Sequence, residues 1–444
     1  MRAWSAEQIA EAAGATIARP GLELEHHGPT HAVIGSAEVT PGALFVGLPG
    51  ARVDGGTYAP QALAAGAWGV LVGPGWAEAA LEAEPGVVLV ADDPLLALQR
   101  LATAWRRALG AAGATVIGVT GSTGKTTTKE LVAAMGRTVV PTHANLANFN
   151  TEIGLPLTIL AAPAETKLLV LEMGMRGAGQ IAELARIGEP EIGIVVNVGP
   201  VHLELLGSIE AIAAEKGSLL DHLPLGGTGI APADEPLLAN HVGRHGVRWV
   251  TFGPGGDSTV EGLPASLGLA RKPAHVQLDA AAALAAVRAA GLEPVGPLEE
   301  LPGAGRGAEH AGVGGSTIID DCYNANPMSM RAALTELSNR APAGRRVAVL
   351  GDMLELGPGE AELHAELGAL ASGAGVSLLA TVGPRAAHAA TRFDGAVLHF
   401  ATAPEAAQAL PSQIGGGDAV LVKGSRGVGL EVVVEALQNQ REDA

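Results

Sequence analysis

The stretch GVTGSTGKTTTKEL, residues 118–131, joins a strand-like apolar run ending at Val119 to a helical pattern. A glycine-rich turn in that context reads as a phosphate loop, whose backbone N–H groups turn inward on phosphates at the start of a helix. Gly121, Ser122, Thr123, Gly124 and Thr127 would line it, Lys125 would meet the β/γ oxygens, and the Thr126 hydroxyl would face Mg²⁺. The spacing G-x-x-x-x-G-K-[ST] is not met in full, because Val119 stands where the first glycine belongs; what is present is T-G-x-x-G-K-T-T. The competing reading is a strand-to-helix turn without a ligand, which leaves the lysine and the three threonines unexplained.

Around this loop, apolar runs alternate with helical patterns. Thr115–Val119, Leu168–Leu171 and Ile192–Val196 are candidate buried strands, which predicts a mostly parallel sheet covered on both faces. Upstream, Ser5 and Gln8 form a capping box, and the brief runs Ala43–Val46, Val70–Val72 and Val87–Val90 predict a small α/β unit over 1–95. The helix-like stretch Pro94–Leu109 leads into a central domain over 96–302. Gly291–Gly315 is dense in Gly and Pro and reads as an exposed linker. Beyond it, Ile318–Ile319, Val347–Leu350, Leu378–Val382 and Ala419–Val422 alternate with helical stretches, which predicts a doubly wound, Rossmann-like unit over 303–444. The run Asp279–Ala290 is rich in alanine and reads as a tightly packed helix.

Composition narrows the function. The chain has 444 residues and a formal net charge of −18, with no basic stripe, which argues against a nucleic-acid partner. No apolar run approaches a membrane span, and Glu7 and Glu11 stand where a secretory peptide would carry its apolar core. The single cysteine, Cys322, allows no internal disulfide, and the cytoplasm is the expected compartment. An anionic ligand must then be held by backbone N–H groups, a few basic side chains and metal ions.

Three more clusters follow the loop. LEMGM places Glu172 just past a predicted strand, where ligands of open α/β sheets collect and where a carboxylate can hold Mg²⁺. Alone, such a glutamate serves equally as a cap or an ion-pair partner. NVGPVHLELLGS carries His202, and Lys216 follows on a helix that Ser208 could cap; each in isolation reads as an ordinary histidine or solvated lysine.

Taken in order, the T-G-x-x-G-K-T-T loop, Glu172 in E-M-G, and His202 with Lys216 downstream resemble the Mur ligase superfamily of ATP-dependent amide-forming enzymes. DDCYNANPMSM (320–330), VLGDMLELG (349–357), VLVKGSRGVGLE (420–431) and NFNTEIGLP (148–156) sharpen the resemblance. They are similar to the branch that adds D-alanyl-D-alanine (D-Ala-D-Ala) to UDP-N-acetylmuramoyl-tripeptide. The resemblance implies ATP, two Mg²⁺ ions and an acyl phosphate, with Thr126 and Glu172 at the first ion and His202 at the second. It implies a carbamylated Lys216 as an anionic donor near that second metal.

The resemblance further implies Arg306 at the γ-phosphate, Asp321 at the ribose and Asn324 shaping the loop around ATP. Asn326, Asp352, Lys423, Ser425 and Arg426 would serve the incoming dipeptide; a turn cap for Asp321 and a solvated charge for Arg426 are the plain alternatives. Ser36, Arg52 and Asp54 would serve the uridine nucleotide. Asn148, Asn150 and Thr151, beside Asn145, would serve the muramoyl peptide. Three departures stand out: Gly35-Ser36-Ala37 where the family commonly reads D-S-R, Asp54-Gly55-Gly56 where it commonly reads D-G-H, and Asp279 where its adenine segment has an asparagine. A monomer opening and closing around ATP is expected. A sibling ligase, a folylpolyglutamate-type ligase, a nucleotide-gated regulator without chemistry and a P-loop kinase are the alternatives.

Overall fold

The computed structural model describes residues 1, 4–20, 27–146, 148–298 and 307–438. Its elements form three sheets. In the first, the spatial order is Thr16–Arg19, Val87–Val90, Gly69–Val72, Ala43–Val46 and His31–Val33, parallel except for the edge strand Thr16–Arg19. Its centre consists of contiguous apolar residues buried on both faces, as short parallel strands require. Ser5 and Gln8 exchange the two bonds of a capping box and start the Ala6–Ala13 helix.

The second sheet is parallel throughout, in the order Arg248–Phe252, Thr228–Pro232, Ile192–Val195, Thr115–Thr120, Leu168–Glu172 and Thr142–Ala144. Thr115–Thr120 and Leu168–Glu172 lie side by side, which brings their carboxyl ends together at the loop after Thr120. Asp93 caps the 18-residue helix Pro94–Ala111 by accepting the N–H of Leu96 at 2.9 Å. The alanine-rich stretch is a helix, Ala274–Ala289, with every residue from Asp279 to Val287 buried.

The third sheet runs Ala308–Ala311, Thr317–Asp320, Ala419–Lys423, Arg346–Gly351, Leu378–Val382 and Ala396–Phe400. Only Ala308–Ala311 is antiparallel. This strand departs from the linker expectation at 308–311, where the segment pairs residue for residue with Thr317–Asp320. Buried aliphatic clusters cover both faces, one around Met330, Leu334 and Leu367 and the other around Leu410, Val433 and Leu437.

Two compact units result. The first comprises Met1–Asn197, Ala214–Lys272 and Val276–Glu299; the second comprises Val198–Ala213, Pro273–His275 and the chain from Glu300 onward. Among the described residues, no helix is long and apolar enough to cross a membrane.

Candidate active site

Within the first unit a glycine-rich loop joins strand to helix. The strand ends at Thr120 and the helix Lys125–Arg137 begins after Gly124, whose φ of 73° is left-handed. A Cβ there would lie 2.7 Å from Oδ1 and 2.8 Å from Oδ2 of Asp279, so backbone and carboxyl pack with no room for a side chain. Lys125 curls over the loop and donates from Nζ to the Gly121 carbonyl at 2.8 Å. The loop is held from below by Asn197, whose Oδ1 accepts the N–H groups of Ser122 at 3.1 Å and Thr123 at 2.9 Å. Asn197 also donates from Nδ2 to Thr123 Oγ1 at 2.9 Å. Thr127 sits half-buried in the first helical turn.

Glu172 is 2% exposed and is the last residue of its strand. Its Oε2 accepts the Thr126 hydroxyl at 2.7 Å and its Oε1 accepts Asn150 Nδ2 at 2.8 Å. One carboxylate therefore joins the phosphate loop to the 145–151 loop. Asn145 fixes this junction, accepting the Glu172 N–H at 2.6 Å and donating to the Phe149 carbonyl at 2.5 Å. Lys129, fully buried, donates from Nζ to the Asn145 carbonyl at 2.8 Å and to Glu130 at 2.5 Å. Asn148 is exposed beside Asn150, and Thr151 accepts the Gly154 N–H at 3.3 Å.

The donor set suits a hard cation: the Thr126 hydroxyl and the Glu172 carboxylate converge at a helix N-terminus, offering oxygen only. Among the described residues, no group of three or more His, Cys, Asp or Glu could hold a metal. Mg²⁺ bound with a nucleotide needs only one or two carboxylates, because phosphate oxygens and water supply the rest.

Lys216 is 1% exposed and donates from Nζ to the Gly121 carbonyl at 2.9 Å. Burial, helped by the Lys125 charge, pushes its ammonium well below the usual lysine range, against the opposing pull of Glu215. Glu215 accepts the N–H groups of Gly179 and Ile181, each at 2.7 Å, and so caps the Gln180–Gly188 helix from outside. Asp279 is 6% exposed, and burial pushes its carboxyl well above the usual carboxylate range.

Ser36 opens a short 3₁₀ turn, Arg52 is exposed, and Asp54 accepts the Gly56 N–H at 2.8 Å.

His202 falls in the second unit, within Val198–Ala213, and its Nδ1 pairs with Glu355. Asp321 follows the strand Thr317–Asp320 and pairs with Lys423 at 2.7 Å. Lys423 also donates to the Asn324 carbonyl at 3.0 Å. Ser425 accepts the Leu354 N–H at 3.0 Å, and Arg426 lies over the Tyr323 ring at 5.0 Å. Asp321, Asn324, Lys423, Ser425 and Arg426 are thus gathered at one end of the third sheet. Two residues expected at the dipeptide also hold backbone in place. Asn326 is the N-cap of Pro327–Ser338 in a capping box with Ser329. Asp352 accepts the N–H groups of Arg385 at 3.0 Å and Ala386 at 2.7 Å. Arg306 lies outside the described residues.

Asn197, Lys129 and Glu355 were not singled out from the sequence. Asn197 and Glu355 lie inside quoted motifs, NVGP and GDMLELG, whereas Lys129 follows the loop threonines with nothing to mark it as buried.

Three family models match the chain: the Mur ligase family catalytic domain over residues 30–106, the Mur ligase middle domain over 119–271, and the Mur ligase glutamate ligase domain over 305–426. The UDP-N-acetylmuramoyl-tripeptide–D-alanyl-D-alanine ligase of Bacillus subtilis is 35% identical, covering 97% of each chain. The Escherichia coli protein of the same name is 33% identical over 90% of this chain and 92% of its own. Among solved structures, MurF from Acinetobacter baumannii superposes with a TM-score of 0.82 at 26% identity, covering 98% of this chain and 99% of that one. MurF from Thermotoga maritima, in complex with ADP, gives 0.76 at 29% identity over 92% and 97%. With models spanning most of its length and relatives matching it nearly end to end, the chain belongs to the Mur ligase family.

Proposed function

We propose that this protein is an ADP-forming ligase that joins D-Ala-D-Ala to the terminal carboxylate of UDP-N-acetylmuramoyl-tripeptide. The observation that carries the reading is the chain of contacts Thr126–Glu172–Asn150, which links a phosphate loop to a polar loop suited to an acceptor. The names of the full-length relatives supply the substrates.

A carboxylate is a poor acylating group, so the acceptor carboxylate takes the γ-phosphoryl of ATP. A carboxylate oxygen bonds to phosphorus, the bond to the β-phosphate oxygen breaks, and ADP leaves. The dipeptide amine then adds to the acyl phosphate, and the tetrahedral adduct loses inorganic phosphate and a proton to give the amide. Lys125 and the backbone N–H groups of Lys125, Thr126 and Thr127 in the first turn of the helix would neutralise the charge on the phosphoryl in flight. Mg²⁺ held by Thr126 and Glu172 supplies further neutralisation.

Lys216 fits a second role. Burial shifts the Lys216 amine toward its neutral form, the form that is nucleophilic toward CO₂, and the resulting carbamate, formed with loss of a proton, would be an anionic oxygen donor. His202 is the proposed ligand of a second Mg²⁺. Domain roles follow as proposals: residues 1–95 for the UDP-muramoyl end, 96–302 for ATP, and 303–444 for the dipeptide, with Asp321, Asn324 and the segment containing Arg306 at the nucleotide. Action as a cytoplasmic monomer completes the reading.

The test is phosphate release measured with both substrates and with each omitted. Release that requires both supports the ligase; ADP formed together with a phosphorylated hydroxyl acceptor, without phosphate release, would instead indicate a kinase.

A further inference from the structure

Three non-glycine residues take positive φ among the described residues, and two of them, His202 (φ 54°) and Glu355 (φ 62°), touch each other across 153 positions of sequence. Such a conformation is strained at a residue with a Cβ and persists where the surroundings impose it. The surroundings do impose it. The Glu355 carbonyl accepts the Glu204 N–H at 3.3 Å. Gly357, itself left-handed, lies against Glu204, where a Cβ would come within 3.4 Å of its Cα. Gly199 packs so closely on Met328 that a Cβ would sit 1.8 Å from the sulfur. The segment Val198–Ala213 thus packs as part of the second unit, although Asn197 before it and Lys216 after it belong to the first.

The side chains of His202 and Glu355 are 25% and 39% exposed. A pair that wet adds little to stability, so its consequence is orientation. An ionised carboxylate only accepts hydrogen bonds, so the nitrogen facing it, Nδ1, carries the proton, and the neutral ring keeps its lone pair on Nε2. From this geometry we infer that Glu355 is a positioning residue that holds His202 in the Nδ1–H tautomer and aims Nε2 as a fixed donor atom. The catalytic consequence rests on the role proposed above for His202; the tautomer does not.

The experiment has two arms. In the full-length protein without ligands, long-range ¹H–¹⁵N spectra report the ring nitrogens, with His202 assigned by its loss in His202→Gln. At about pH 9, where imidazoles are neutral, the unaltered protein is expected to show protonated Nδ1 and bare Nε2. Glu355→Ala is expected to shift His202 toward Nε2–H, and Glu355→Gln, whose amide oxygen still accepts, to preserve most of the original state. In ligation assays Glu355→Ala is expected to lower kcat about 10–100-fold with the KM for ATP little changed. Glu355→Gln is expected to recover much of that loss, and Glu355→Ala to cost nothing more in a His202→Ala background. An unchanged tautomer in Glu355→Ala, or losses that multiply in the double variant, overturns the inference. Should His202→Ala turn over normally while the tautomer still follows Glu355, the proposed role of His202 fails and the positioning stands.

Discussion

Asp279 offers a quantitative handle on the phosphate loop. Its carboxyl is buried against Gly124, and no hydrogen bond or ion pair to it is found among the described residues. Burial raises its affinity for a proton above that of an ordinary carboxylate. The sign follows from linkage: above the usual carboxylate range the native state binds more protons here than the unfolded state, so stability contributed at low pH is lost as pH rises toward the native value. An asparagine side chain in its place has nearly the same shape and no proton to lose. Inside that window, Asp279→Asn should therefore gain on the unaltered protein by about 1.4 kcal/mol for each pH unit. At roughly 2–4 °C per kcal/mol for domains of this size, the gap is readable by thermal unfolding at pH 4, 5 and 6. The transition to follow is that of the unit carrying the loop. Parallel curves for the two proteins, or a variant that loses ground as pH rises, would refute the idea that the carboxyl is desolvated and unpaired.

Gly124→Ala should be costly, by about 1–2 kcal/mol for the left-handed backbone and about 1–3 kcal/mol for crowding Asp279, with ATP affinity falling in a calorimetric titration. Lys125→Ala should abolish phosphoryl transfer, and normal turnover would remove the loop from the active site. Lys129→Met should lower stability by about 1–3 kcal/mol and raise the KM for the muramoyl substrate more than that for ATP, because Lys129 supports the Asn145 carbonyl. Lys216→Ala should be inactive and partly restored by small carboxylates; no restoration would argue against a carbamate. For Asp418, burial works to raise the carboxyl, but hydrogen bonds from the side chain and backbone of Arg345 outweigh it and hold it below the usual range. Asp418→Asn should therefore cost about 1–3 kcal/mol near neutrality, and the difference should close as pH falls toward the native value.

The buried parallel strands were legible because each holds a contiguous apolar run, as in Leu168–Leu171 and Val347–Leu350. Edge strands were not. Thr16–Arg19 and Ala396–Phe400 are only partly buried and polar in places, and Ala308–Ala311 sits among glycines. Thr228–Pro232 carries a glycine and ends in proline, both ordinarily read as breaks, yet it lies between Ile192–Val195 and Arg248–Phe252. At the site, the placement of Gly124, Lys125, Thr126 and Glu172 was readable, because it follows from the local strand-to-helix and strand-end backbone. Asn197 and Glu355 act on partners 75 and 153 positions away, so their roles emerge only from folding. Asn326 and Asp352 carry a structural part that the sequence reading did not give them, since both satisfy backbone N–H groups.

The central claim is that a carboxylate is phosphorylated before the amine attacks, and oxygen tracing tests it most directly. UDP-N-acetylmuramoyl-tripeptide labelled with ¹⁸O in its terminal carboxylate, incubated with ATP, Mg²⁺ and D-Ala-D-Ala, should deliver one labelled oxygen to the released phosphate as the new amide forms. Amide formation with unlabelled phosphate would contradict an acyl phosphate, and labelled phosphate without amide would contradict the ligase.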